Sequence, residues 1–149
     1  MCDDALLKET ERFFHDQIPL TVAMGVTVQA FDGERLVLAA PLAANHNHLG
    51  TAFGGSLSAI ATLAGYGLLW LALDDRSAHI VVRSSRIRYR HPVRKSILAV
   101  TQPPSEEVFT TFIKKFQSTG KAAIRLQVKI VEGDRVCVDF DGLFVALRH

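Results

Sequence analysis

The chain has 149 residues, 48% of them hydrophobic and 21% charged, enough to bury the core of one domain without covalent staples, so a single domain over residues 1–149 is expected. A formal charge of +2 with no long run of Lys and Arg speaks against a nucleic-acid binder. Only Cys2 and Cys137 are present, and Asp3 and Asp4 stand where a signal peptide would be basic and then apolar, so neither a disulfide framework nor secretion is expected and a cytoplasmic location fits.

Residues 3 to 17 read as a helix: Asp3 or Asp4 offers a cap, and Leu6, Leu7, Thr10, Phe13 and Phe14 recur at helical spacing. Ile18-Pro19 ends it. Val26, Val28 and Ala30 alternate with polar residues, Asp32-Gly33 turns, and Leu36, Leu38 and Ala40 return, which predicts a hairpin. A polar loop from Ala43 to Thr51 leads to an apolar helix over about residues 54 to 73.

From Thr51 to Leu73 no residue is charged, a stretch long enough to span a bilayer. Yet it contains Gly54-Gly55-Ser56, Ser58, Thr62, Gly65 and Gly67, and Asp74-Asp75 follows it in place of basic flanks. A helix enclosed on all sides by its own protein has the same apolar character, and that reading, with no membrane span, is the expectation.

Beyond the helix, residues 78 to 90 alternate as a long strand, with Arg86, Arg88 and Arg90 on one face and Ile87 and Tyr89 on the other. His91-Pro92-Val93 interrupts it, and residues 97 to 101 form another strand that Pro103-Pro104 stops. Ser105 caps a helix over residues 105 to 117, in which Val108, Phe109, Phe112, Ile113 and Phe116 keep helical spacing, and Thr119-Gly120 terminates it. A second hairpin follows, Ile124 to Ile130 and Val136 to Phe140 around Gly133-Asp134.

All these apolar faces need one partner, and the neutral helix supplies it. The expected fold class is α+β, a curled antiparallel sheet wrapped around a long central helix. Such a small sheet keeps free edges and leaves part of the helix uncovered, so pairing of two copies is expected, as a homodimer or a dimer of dimers.

Three segments carry a resemblance: Ile18-Pro19-Leu20 with Met24-Gly25-Val26; the run from Asn45 through Gly50-Thr51-Ala52-Phe53-Gly54-Gly55-Ser56 to Leu57; and Arg88-Tyr89-Arg90-His91-Pro92-Val93. Together they resemble the hotdog-fold putative thioesterase family of the YiiD C-terminal type over nearly the whole chain. The resemblance implies a hotdog dimer acting on acyl thioesters, with no cofactor other than coenzyme A as part of the substrate. It also marks two departures from better-known hotdog thioesterases, which carry a His before the glycines and a carboxylate farther along the helix. Here Phe53 and Thr62 hold those positions, and no Asp or Glu lies between Glu34 and Asp74.

Thioester hydrolysis needs a polarised carbonyl, an activated water and a slot for the acyl chain. Gly54 and Gly55 open the neutral helix, where side-chain-free amides and the helix dipole suit a developing oxyanion; close packing of loop against helix explains the same two glycines equally well from the residues alone, and the resemblance favours the functional role. With no acid on the helix, Asn47 and His48 are the preferred pair to place and deprotonate water, with His46, Asp139 and Asp141 as alternatives. His46-x-His48 lacks a third ligand, so no metal is expected.

Thr51, Phe53, Ser56 and Thr62 are candidate substrate-binding residues, although a cap at Ser56 and core packing around Leu63 and Tyr66 are the plainer alternatives. Arg86, Arg88 and Arg90 present charge suited to coenzyme A phosphates or an acidic carrier, or are simply solvated strand residues. Two other functions remain open: a non-catalytic dimer that binds acyl ligands, favoured by Phe53 and Thr62, and hydratase or dehydratase chemistry, which the uncharged helix disfavours.

Overall fold

A computed structural model describes residues 3–148. Its elements run α1 (Asp4–Gln17), α2 (Leu20–Ala23), β1 (Thr27–Phe31), β2 (Leu36–Ala40), α3 (Gly54–Leu73), β3 (Ala78–Tyr89), β4 (Ile97–Gln102), α4 (Glu106–Thr119), β5 (Lys121–Glu132) and β6 (Arg135–Arg148). The six strands form one antiparallel sheet in the order β1-β2-β4-β5-β6-β3. Cys2 lies outside the described residues, and Cys137 is a buried free thiol.

Local chemistry explains most boundaries. Asp3 accepts the Ala5 amide at 3.0 Å and caps α1, and Ser105 Oγ accepts the Val108 amide at 3.2 Å and caps α4. Asp32 Oδ1 accepts the amides of Glu34 and Arg35 at 2.9 and 2.7 Å, tying the β1–β2 turn. Most boundaries fall within a few residues of the sequence expectation, and two features depart from it further. The short α2 lies in a segment expected only to end a helix, and β6 continues past Phe140 to Arg148 because Gly142 to Leu147, apolar throughout, pair with both β3 and β5.

The inner face of the sheet closes on α3. Leu36, Leu38, Ile97, Ala99, Ile124, Leu126, Val128 and Ile130 are buried against Ile60, Ala61, Ala64, Leu68 and Leu69 of the helix. Gly65 is needed for close approach, since a Cβ there would stand 2.5 Å from the Phe144 ring of β6. On the helix's other flank, α1 inserts Phe14, fully buried, at a gain of about 3 kcal/mol for a side chain of this size. By length and composition α3 would pass as a membrane span, but over half of that segment is buried inside the protein, as a core helix must be.

Two sheet edges remain. One is β1, partly covered by α1, and the other is β3, twelve residues long, whose neighbour in the sheet among the described strands is β6. Val81 and Val82 stand exposed on that second edge.

Candidate active site at the head of the central helix

The loop before α3 is built to present the helix start. Asn45, buried, donates its Nδ2 to the carbonyls of Met24 and Pro41, both at 2.8 Å, and its backbone carbonyl accepts the Phe53 amide at 2.7 Å. Its Oδ1 is buried with no partner among the described residues. Asn47 ties the next turn: Oδ1 accepts the Leu49 and Thr51 amides at 2.8 and 3.2 Å, and Nδ2 donates to Thr51 Oγ1 at 2.9 Å. His48 projects from this turn and is exposed.

Phe53 occupies the N-cap of α3 in an extended conformation, φ −69° and ψ 136°, and supplies no side-chain cap. The first helical hydrogen bond runs from the Leu57 amide to the Phe53 carbonyl at 3.1 Å. The amides of Gly54, Gly55 and Ser56 therefore have no acceptor among the described residues, at the positive end of a twenty-residue helix. A Cβ on Gly55 would lie 2.5 Å from the Phe53 ring, so the packing reason for this glycine holds beside the electrostatic one.

A cleft of about 250 Å³ opens at this tip between Gly54, Leu57, Tyr89, Arg90 and His91. Tyr89 reaches across from the end of β3, its Oη donating to the Gly54 carbonyl at 3.3 Å. Tyr89 and His91 belong to a segment that carries the resemblance but are not among the candidate site residues of the sequence; the signal for Tyr89 is its place on the strand face opposite the three arginines, which is the face that meets the helix.

A second cavity, about 260 Å³, lies farther along α3 between Ile18, Leu20 and Met24 around α2 and Ala59, Thr62 and Tyr66 of the helix. Thr62 donates its hydroxyl to the Ser58 carbonyl at 2.9 Å, so the helix position compared above with an acid is a threonine bonded back to its own helix. Burial raises the Tyr66 phenol above its ordinary pKa.

The family model described as "Putative thioesterase (yiiD_Cterm)" matches residues 7–148. The chain belongs to this family. Among solved structures it is similar to the putative thioesterase from Shewanella oneidensis (TM-score 0.88, 31% identity, covering 97% of this chain and 99% of that one). A protein of unknown function from Chlorobaculum tepidum TLS matches as well (TM-score 0.88, 31% identity, 99% and 98% covered). The thioesterase HI1161 of Haemophilus influenzae shares the fold at 16% identity (TM-score 0.75, 95% and 90% covered). The curled sheet around α3 is thus the hotdog arrangement expected from the sequence.

Within this thioesterase fold the candidate residues divide into groups. Asn47, His48, Thr51, Phe53, Gly54, Gly55 and Ser56 occupy one loop and the first turn of α3, whereas Thr62 sits two turns along the helix at the second cavity. Arg86 and Arg88 on β3, and Arg90 just after its end, flank Ile87 and Tyr89 and so face the other side of the sheet. Arg86 and Arg88 line a depression of about 320 Å³ with Gln127, Lys129, Asp139 and Asp141, and Arg90 also borders the cleft at the helix tip.

Asp139 and Asp141 lie on that outer face, ion-paired with Arg90 at 3.0 Å and Arg125 at 2.7 Å, away from the helix amides. Burial pushes the Cys137 thiol up in pKa, which does not suit a nucleophile. Among the described residues no three His, Cys, Asp or Glu side chains gather as a metal site would require.

Proposed function

We propose that this thioesterase-family protein hydrolyses acyl-CoA or acyl-carrier thioesters at the tip of α3, and that it does so as a cytoplasmic homodimer or dimer of dimers without a bound cofactor. The observation that carries the reading is the row of unpartnered amides at Gly54, Gly55 and Ser56 beside an open cleft. Donors fixed in that way need no reorganisation when the carbonyl oxygen gains charge.

In this mechanism the thioester carbonyl points its oxygen at the Gly54 and Gly55 amides. His48 accepts a proton from water as the water oxygen bonds to the carbonyl carbon, and the Asn47 Nδ2 hydrogen not given to Thr51 helps hold that water. Collapse of the tetrahedral intermediate breaks the C–S bond, and the thiolate leaves and takes up the proton that His48 accepted, which restores the neutral imidazole. Thr51, Phe53 and Ser56 border the path of the substrate, and the outward arginines Arg86, Arg88 and Arg90 are positioned to meet phosphate or carrier charge.

Two copies joined along β3 would extend the sheet and cover Val81 and Val82 on its free edge. Sedimentation equilibrium is expected to give twice the 16.4 kDa chain mass or a multiple of that dimer. A monomer at every concentration would contradict the paired arrangement.

The alternative of a non-catalytic acyl binder draws on Phe53 and Thr62, neither of which can move a proton as His or an acid would. Thiol release from a panel of acyl-CoA esters decides between the two. The expected result is turnover by the wild type, a loss of about 10²- to 10³-fold in His48→Ala, and a smaller loss in Asn47→Ala. No release across the panel would favour binding without turnover; release that neither variant alters would remove His48 and Asn47 from the mechanism.

A further inference from the structure

We propose that the cavity between α2 and α3 holds the alkyl tail of a medium-chain acyl group, and that Tyr66 closes its far end and so limits the length of the chain accepted. The inference rests on the thioesterase reading for its substrate, but the cavity can be tested without turnover.

Continuity with the helix tip is the first support. Gly55, Ala59, Thr62 and Tyr66 are spaced four, three and four residues apart and share one stripe of α3. The stripe starts at the free amides and runs about 16 Å to Tyr66 at the rise of an α-helix. The stripe thus lies on the Gly55 flank of α3, away from the Tyr89 cleft, and a carbonyl held at the Gly55 amide with its substituent on this flank would lead the chain towards the cavity.

The walls select what can follow that route. No residue lining the cavity is charged. The hydroxyl of Thr21 is committed to the Ile18 carbonyl at 2.8 Å and that of Thr62 to the Ser58 carbonyl at 2.9 Å. A polar or ionic occupant would lose its hydration and find only the Tyr66 hydroxyl in return, whereas an alkyl chain gains by burial against Ile18, Met24, Ala59 and Leu63. Leu20, another wall residue, is 56% exposed, an apolar surface that a chain would cover.

Size then sets the class. A cavity of 150 Å³ accommodates a six-carbon ring, so 260 Å³ corresponds to about ten carbons. Tyr66 is the lining residue farthest along α3 from the amides. Its ring stacks on Phe13 with centroids 6.5 Å apart, and Phe13 stacks in turn on Trp70 at 4.5 Å, so the end wall is backed by further aromatic packing.

The test measures chain-length preference in the wild type, Tyr66→Ala and Ala59→Leu in two ways. One is kcat/KM for straight-chain acyl-CoA esters of about four to sixteen carbons, and the other is calorimetric binding of the corresponding free fatty acids. The wild-type optimum is expected near ten carbons. Tyr66→Ala should move it to longer chains, by about fifteenfold in relative preference for two further buried methylenes, and Ala59→Leu should move it to shorter ones. Should Tyr66→Ala fail to fold, Ala59→Leu carries the comparison alone.

An optimum that is the same in all folded variants, or no fatty-acid binding at all, overturns the proposal. Turnover with an unmoved optimum defeats this inference and leaves the hydrolase reading standing. Shifted fatty-acid binding without thiol release does the reverse.

Discussion

Over its C-terminal half α3 is gripped from several sides. The Gly65 backbone rides on Phe144, Trp70 is stacked by Phe13 and covered by the Arg76 guanidinium at 4.0 Å, and Asp74 ends the helix in a left-handed turn. At the N-terminal end the same helix, equally free of charge, has no side-chain cap, three unpartnered amides and an exposed Phe53. An uncharged sequence is therefore compatible with two different environments on one element. One end supplies stability by close packing, and the other gives up hydrogen bonds of its own and leaves them available to a ligand.

The comparison breaks most visibly under substitution at the gripped end. Gly65→Val would drive a Cβ to within 2.5 Å of the Phe144 ring, and overpacking of this kind is expected to cost about 3 kcal/mol in a urea unfolding series. A loss below about 0.5 kcal/mol would mean that the helix can slide off the sheet at no cost, and the contrast between the ends would fail. At the open end, Phe53→Ala should stay within about 0.5 kcal/mol of wild type, because 56% of the residue is already exposed. A much larger loss would show that Phe53 holds the loop in place.

The smallest effect concerns Asp75, just beyond the helix. Hydrogen bonds from the Ser77 hydroxyl and amide, and then its contact with Arg148, hold its carboxyl below the usual range. The folded state therefore favours the ionised form, so this contribution is fully present above the ordinary carboxylate pKa and is lost as pH falls through and below it. Asp75→Asn should lower the melting temperature at neutral pH and narrow the gap between the two proteins in acid. A gap that widens in acid would reverse the assigned sign.

Much of the fold was legible from residue patterns because both periodicities were clean. Alternation marked Ile124 to Ile130, helical spacing marked Phe109 to Phe116, and the missing charges from Thr51 to Leu73 marked the helix that the sheet surrounds. The short α2 was not legible, because Leu20 to Ala23 is too brief to show a period and follows a proline that normally ends a helix.

The site was legible only in part. Asn47, His48 and the glycines are close in sequence and share one loop and helix turn, so local reading brings them together. Tyr89 reaches Gly54 from a strand 35 residues away, and that meeting depends on how the sheet curls, which alternation along one strand does not reveal. The bonded hydroxyl of Thr62 is likewise a feature of rotamer and environment, not of residue type.

Gly54→Pro tests the central claim most directly. Proline is well suited to the first position of a helix, and the Phe53 backbone at φ −69° and ψ 136° already has the extended form that a following proline requires, so the change removes one amide donor with little else. With the melting temperature held close to wild type, the account predicts a fall in kcat for acyl-CoA hydrolysis of about 10²- to 10³-fold. A folded Gly54→Pro protein that turns over as fast as wild type would contradict the Gly54 amide at the tip of α3 as a holder of the oxyanion.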